Sequence, residues 1–329
     1  MSVPSAAALE RLGDVAAALT PPARPRRMLV IVNPHATTMS DRLRHLVVFA
    51  LQGRYDVHAV DTERKGHAIE LCREARREGY DAVVAFGGDG TVNEAANGLA
   101  GTDTPLSVLP GGSANVFGRM LGIPNDVVAA TEHLIALSET WAPRRVDLPA
   151  VNGRRFTFAA GVGLDASVVE RVDRHPQRKS RFGAWYYAES ATRTFLARYV
   201  VDPPLLEADL GGRSERGASV FVQNGRPYTY FRDRPIDLVT DVALDSGDLG
   251  GVVLTRASPL DLVPITFRAL SGTARIDRHR RVRGFTGVRA LVVRSVDGRG
   301  VPIQVDGDYI GEDDEARFEV EPGGLCVVA

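Results

Sequence analysis

Residues 81–99, DAVVAFGGDGTVNEAANGL, constrain the fold more than any other part of the 329-residue chain. A short apolar run, DAVVAF, ends in Gly87-Gly88-Asp89-Gly90-Thr91, and a helical pattern starts near Val92. An apolar run of that length predicts a strand buried on both faces. Glycines at a strand-to-helix turn let backbone N–H groups approach a ligand, and the helix N-terminus favours negative charge there. An aspartate inside the turn repels a bare phosphate. It fits one that carries Mg2+ or a metal-bound water.

The strand-then-turn pattern recurs on both sides. MLVIV ends in Asn33-Pro34-His35-Ala36-Thr37, and PLSVL runs into Leu109-Pro110-Gly111-Gly112-Ser113-Ala114-Asn115, followed by the helical VFGRMLG. YDVHAV alternates like a strand, and apolar positions in 41–52 and 66–79 recur at helical spacing. Strands alternating with helices predict an α/β domain with a mostly parallel sheet. Ligands of such sheets bind in the crevice outside the strand ends, so three loops on one edge describe a nucleoside triphosphate site. Neither GxxxxGK[ST] nor GxGxxG is present, which sets the chain apart from P-loop and dinucleotide-binding proteins.

After Asp147 the texture becomes β-rich. RFTFAAGVG, ASVFVQNG, GGVVLTR, RALVVRSV, VPIQVDGD, ARFEVE and LCVVA are separated by Gly, Asn and Asp turns, the pattern of an antiparallel sandwich. Helical insertions are expected near 166–200 and 258–271. The fold class is therefore α/β plus β, an N-terminal α/β nucleotide-binding domain followed by a C-terminal antiparallel β-sandwich domain. The expected division is 1–27 as extension and linker, 28–147 as the nucleotide domain and 148–329 as the β-rich domain. No long C-terminal segment is expected to return to the first domain. Within the extension, residues 5–19 read as a short amphipathic helix before the linker TPPARPRR. It either packs on the fold, forms a basic arm or is loosely ordered.

Composition narrows the function. With 40 basic and 41 acidic residues the net charge is −1, unlike a general nucleic-acid binder. The two cysteines, Cys72 and Cys326, make neither a disulfide framework nor a zinc site, which fits a reducing compartment. No apolar run approaches the ~20 residues of a membrane span. Glu10, Arg11 and Asp14 interrupt the N-terminal Ala/Leu stretch, unlike a signal peptide. The chain is thus expected to be cytoplasmic. His35 lies in the first loop, whereas His45, His58, His67, His133, His175 and His279 are scattered without metal-ligand spacing.

VNPHATT, FGGDGTVNEAANGL and LPGGSANVFGR, in this order and spacing, resemble the diacylglycerol kinase catalytic family, which includes sphingosine kinases and bacterial lipid kinases. The resemblance runs from Met28 to the C-terminus through Arg145-Val146-Asp147, Ala160-Gly161-Val162-Gly163-Leu164-Asp165-Ala166 and Val305-Asp306-Gly307-Asp308. GGDGT alone also occurs in NAD kinases and phosphofructokinases. The PGGSAN loop and the β-rich half favour the lipid kinases.

The resemblance implies ATP-dependent phosphoryl transfer to the hydroxyl of a diacylglycerol-like lipid at a membrane surface. It implies an ATP site lined by Asn33, Pro34, His35, Ala36, Thr37, Thr62, Gly88, Asp89, Gly90, Thr91, Val92, Asn93, Glu94, Gly112, Ser113 and Asn115. Asp89 and Asp147 are implied to hold the catalytic Mg2+ through water. Asp308 is implied as the general base, which makes the inter-domain cleft the reaction site.

Three departures stand out. Asp308 occupies a position where the family usually has Glu, and Val116 one where it often has Asp. The family's structural-metal motif is present only as Asp245-Ser246-Gly247-Asp248-Leu249, so Asp245 and Asp248 either bind a structural Mg2+ or form a solvated turn. Val116 and Asp308 alone support the alternative of a catalytically weakened lipid-binding regulator. A kinase of a soluble acceptor, NAD-kinase-like, is the other alternative. A homodimer through exposed strand edges is compatible with the sequence.

Two basic clusters bear on lipid. Arg171, Arg174, Arg178, Lys179 and Arg181 mix with Phe182, Trp185, Tyr186 and Tyr187, and Arg278-His279-Arg280-Arg281-Val282-Arg283 forms the second. Either they face an anionic membrane, at ~1 kcal/mol per placed charge, or they are solvated faces over buried aromatics.

Overall fold

The computed structural model describes residues 4–19, 22–37, 39–164, 166–167, 170, 204–231, 233–256, 258, 261, 264–265, 267–268, 271 and 275–329. The chain forms two compact units, Met1–Val146 with Gly323–Ala329, and Asp147–Pro322.

The first unit opens with helix α1 (Ala6–Ala18), started by the Ser5 hydroxyl, which accepts from the Ala8 N–H at 3.2 Å. This is an ordinary N-cap. Strand β1 (Arg26–Val32) follows, then α2 (Asp41–Gln52), β2 (Tyr55–Asp61), α3 (His67–Arg77), β3 (Ala82–Gly87), α4 (Asp89–Leu99), β4 (Leu106–Pro110), α5 (Val116–Met120), α6 (Val127–Thr140) and β5 (Arg144–Val146). Leu12 and Ala16 of α1 are buried, and Arg11 pairs with Glu132 of α6 at 2.9 Å. The N-terminal helix is thus packed on the first unit through α2 and α6. Strands β2, β1, β3 and β4 lie side by side in that order and pair in parallel. β3 and β4 are buried along their whole length, as their largely apolar sequence, with Ser107 the one polar side chain, requires. β2, on the sheet edge, alternates buried and exposed over its first four residues.

Helices α3 and α4 approach very closely. A Cβ on Gly98 would lie 2.5 Å from the Cys72 Cβ and 2.8 Å from the Ile69 carbonyl, so only glycine fits this crossing. Cys72 beneath it has its thiol pushed up to about 12, first by burial and then by the negative charge of Glu94. Burial pushes the Cys326 thiol up as well. Because the thiolate is the reactive species, native protein at pH 8 is expected to consume almost no thiol reagent within minutes. Urea-unfolded protein is expected to consume two equivalents. Rapid native labelling of Cys72 would contradict the burial described here. The sign for stability follows. The unfolded thiol loses its proton near pH 8.5 and the folded one far higher, so this contribution is intact below pH 8.5 and declines as pH rises above it.

The second unit is built from β6 (Ala150–Val151), β7 (Arg154–Arg155), β8 (Ala159–Gly163), β9 (Leu206–Asp209), β10 (Ser214–Gly217), β11 (Ser219–Gln223), β12 (Thr229–Phe231), β13 (Arg234–Ile236), β14 (Leu249–Leu254), β15 (Val282–Val288), β16 (Ala290–Ser295), β17 (Val301–Val305), β18 (Asp308–Asp313) and β19 (Glu315–Glu319). Two six-stranded antiparallel sheets result, ordered β10-β9-β16-β19-β6-β7 and β15-β14-β11-β8-β17-β18, with β12 and β13 as a separate hairpin. Their inward residues share one core that includes Val162, Val220, Val293, Ile303, Phe156 and Phe318. The last two rings meet edge to face with centroids 6.3 Å apart. This is the expected sandwich. The cluster at 171–199 lies outside the described residues, as do most of the first helical insertion and half of the second. In the second basic cluster, Arg280 and Arg281 both pair with Asp261, at 3.0 and 3.5 Å. Hydrogen bonding from Arg280, with the charges of both arginines, holds that carboxyl below its usual range.

One expectation is corrected. LCVVA is not a sandwich strand. As β20 (Leu325–Val327) it enters the first sheet between β4 and β5, parallel to the former and antiparallel to the latter. Val328 N–H adds a bond to the Leu106 carbonyl at 3.0 Å. All three β20 residues are buried, which explains the unbroken apolar run. The sandwich strand β19, with one solvated face, alternates instead.

Candidate nucleotide site and the turn carrying Asp308

In the first unit the ends of four parallel strands are tied into one edge by main-chain hydrogen bonds. Thr62 N–H donates to Val32 O at 2.8 Å, Asn33 N–H to Phe86 O at 2.9 Å, and Gly111 N–H to Gly87 O at 2.8 Å. The loops after β1, β2, β3 and β4 are therefore held side by side. Two glycine pairs let the last two loops touch. A Cβ on Gly112 would stand 2.7 Å from the Gly88 Cα, and one on Gly111 would stand 3.0 Å from the Gly87 Cα. Any larger residue pushes main chain against main chain.

Side chains then fix the loops. The Asn33 amide donates to Thr91 Oγ1 at 3.2 Å while its oxygen accepts from His35 N–H at 3.0 Å. Asn115 has φ +49°, and its amide closes a ring on Gly112, accepting from that N–H and donating to that carbonyl, each at 2.9 Å. The same amide reaches Asn125 Oδ1 at 2.9 Å. Asp89 Oδ1 accepts from Val116 N–H at 2.7 Å, so it also joins the second loop to the first. Helix α4 starts at Asp89 behind Gly88, which supplies no side-chain cap. Its first N–H groups and dipole are thus directed at whatever lies before it.

Of the residues expected around ATP, Asn33, Thr62, Gly88, Asp89, Thr91, Gly112 and Asn115 meet on this edge. Pro34, His35, Thr37, Gly90 and Ser113 are exposed on the same loops, with Ala36 half-buried. Val92 and Asn93 are buried in α4. Glu94 caps the start of α3, its two oxygens accepting from Gly66 N–H at 2.7 Å and Ala68 N–H at 3.3 Å. The sequence reading missed Asn125, whose only signal is an asparagine beside a proline.

The residues present fit a nucleotide with its metal. The close main-chain cradle and the open start of α4 suit phosphate oxygens. No cluster of three or more His, Cys, Asp or Glu that could hold a metal occurs among the described residues. Mg2+ bound with a nucleotide needs only one or two carboxylates beside phosphates and water.

Asp147, Asp245, Asp248 and Asp308 belong to the second unit. Asp147 is buried, its carboxylate accepting from Gly247 N–H at 2.6 Å while its own N–H donates to Leu244 O at 2.6 Å. It thereby holds the turn that contains Asp245 and Asp248. Ser246 closes that turn, donating to Asp248 Oδ1 at 2.8 Å. Asp308 is half-buried and opens β18 directly opposite Val305. The two residues between them, Asp306 and Gly307, both have positive φ, +49° and +82°. Such values give the tight hairpin turn that matches strand twist.

Comparison with known proteins now adds to this geometry. The family profile "Diacylglycerol kinase catalytic domain" matches residues 27–142, the loops and strands just described. The chain is 29% identical over 300 residues to proteins named diacylglycerol kinase from two strains of Staphylococcus aureus, bovine RF122 / ET3-1 and MRSA252, covering 87% of each chain. Over residues 27–142 the chain is similar to the diacylglycerol kinase catalytic domain. The crystal structure of a diacylglycerol kinase from Bacillus anthracis str. Sterne shares the fold, with a TM-score of 0.68 at 23% identity, over 93% of this chain and 98% of that one. Like that structure, this chain combines a mostly parallel α/β domain with a domain of antiparallel strands.

Proposed function

We propose that this chain is an ATP-dependent lipid kinase that transfers the γ-phosphoryl group to the hydroxyl of a diacylglycerol-like lipid. The observation that carries the reading is the cradle in which Gly88 and Gly112 touch through their backbones in front of α4. It occurs in a chain whose relatives are named diacylglycerol kinase. Main-chain N–H groups of the two loops receive the phosphates, and Asn33, Thr91 and Asn115 keep those loops in register. Bound with the nucleotide, Mg2+ would supply positive charge beside the phosphates. Asp89 and Asp147 are the carboxylates this reading assigns to it, acting through water. Asp308 takes the proton of the acceptor hydroxyl as the phosphoryl group arrives. The protein works in the cytoplasm and meets its acceptor at a membrane surface. No helix among the described residues is long and apolar enough to cross a membrane.

The test is transfer of labelled γ-phosphate to a lipid panel in mixed micelles with Mg2+. The panel holds diacylglycerol, monoacylglycerol, a sphingoid base, a phosphatidylinositol and a polyprenol. Labelled lipid is expected with the wild type, and Asp89→Ala is expected to make at least about 100-fold less. ATP consumption that needs no lipid would instead point to a soluble acceptor.

A further inference from the structure

Asp306 is buried in the second unit, and its carboxylate is fully engaged. Oδ2 accepts from Thr157 N–H at 2.7 Å and from Thr157 Oγ1 at 2.8 Å, while Oδ1 accepts from Phe158 N–H at 3.0 Å and Ala159 N–H at 3.1 Å. Four donors from three successive residues converge on one side chain. Its own N–H donates to the Ala159 carbonyl at 2.8 Å. The next residue is held too, since Gly307 N–H donates to Gln304 Oε1 at 3.0 Å. The turn that presents Asp308 is thus pinned from both sides.

The network continues inward. Asn224 is wholly buried at the end of β11, and its amide nitrogen donates to both the Thr157 carbonyl and the Asp147 carbonyl, each at 3.0 Å. Thr157 therefore sits between two anchors, bound by Asp306 on its N–H and hydroxyl and by Asn224 on its carbonyl. One buried hydrogen-bonded chain, Asp147–Asn224–Thr157–Asp306, ends one residue before the turn glycine and two before Asp308.

We propose that Asp306 and Thr157 are positioning residues that set the reach of Asp308, with Asn224 tying the same unit to Asp147. This rests on the reading of Asp308 as the general base. A base with one methylene fewer than glutamate has little slack, and a shift of about 1 Å costs on the order of 100-fold in rate. Fixing the turn against β8 removes that freedom.

The experiment compares full-length Asp306→Asn, Thr157→Val and Asp308→Asn in the mixed-micelle assay with thermal melts. Steady-state kinetics and pH profiles are recorded for each. Asp306→Asn turns an NH2 group toward N–H donors, and its kcat is expected to fall about 100-fold with KM for ATP unchanged. Thr157→Val removes one donor and keeps the shape. Its kcat is expected to fall about tenfold, with the acidic limb of the kcat profile displaced from the wild-type position. A purely structural role scales activity with the folded fraction and leaves the shape of that profile alone. If Asp306→Asn does not fold, Thr157→Val decides. Folded variants with wild-type kcat and profile, or losses that follow only the folded fraction, overturn the proposal. An active Asp308→Asn overturns the underlying reading of the base. An inactive Asp308→Asn beside an unaffected Thr157→Val overturns the positioning role alone.

Discussion

Asp308→Asn is expected to lower the rate of phosphoryl transfer about 1,000-fold while nucleotide binding stays within twofold of wild type. The asparagine keeps the size and the strand register of β18, which pairs Val305 with position 308, but it cannot take up the acceptor proton. Nucleotide binding is spared because the loops assigned to ATP belong to the other unit. Single-turnover transfer from labelled ATP, alongside calorimetric titration with a non-hydrolysable analogue, separates the two quantities. Asp308→Glu adds one methylene and restores a carboxylate, and it is expected to remain within about tenfold of wild type. A variant that lost nucleotide affinity together with rate would show that Asp308 is needed for something other than proton transfer.

Gly112→Ala is expected to produce the opposite pattern, weakening nucleotide binding about 10- to 100-fold at sub-saturating ATP. The added methyl stands 2.7 Å from the Gly88 Cα and 3.1 Å from Asn115 Oδ1. The first of these is main chain and cannot swing aside. Overpacking of this kind costs roughly 1–3 kcal/mol, and each 1.4 kcal/mol is tenfold in affinity. The strain falls on the edge where the two loops meet, so ligand affinity registers it before global stability does. Gly13→Ala is the matched control, because a Cβ there meets nothing within 4 Å and lies in a helix. It is expected to leave binding unchanged and to raise the melting temperature slightly. Unaltered affinity in Gly112→Ala would place the phosphates elsewhere.

Much of this architecture is legible in the residues. Strands β3 and β4 are buried throughout and read as apolar runs, and the glycines of the two loops mark where main chain must approach main chain. Those signals are local, carried by composition and spacing within a dozen residues. The β20 placement is not local. LCVVA follows an alternating sandwich strand and reads as one more of its kind, and only its lack of alternation hints at a doubly covered position. Polar partners are illegible for a similar reason. Glu94 belongs to the GGDGT segment in sequence, yet it caps α3. Asn224, Thr157 and Asp306 are far apart along the chain, and nothing in their neighbours announces that the sandwich brings them together. The amphipathic pattern of α1 was visible, but its packing on α2 and α6 depends on surfaces that exist only after folding.

The return of β20 also sets an order of events during synthesis. Between β4 and β5 the first sheet has a slot that only residues 325–327 fill, and the ribosome delivers them after the whole second unit. Until then, β4 presents an unpaired apolar edge, the kind of surface that recruits other chains. Docking of residues 325–327 is therefore the step that seals the first sheet. Removal of residues 323–329 is expected to leave the second unit intact and to open the first to proteolysis.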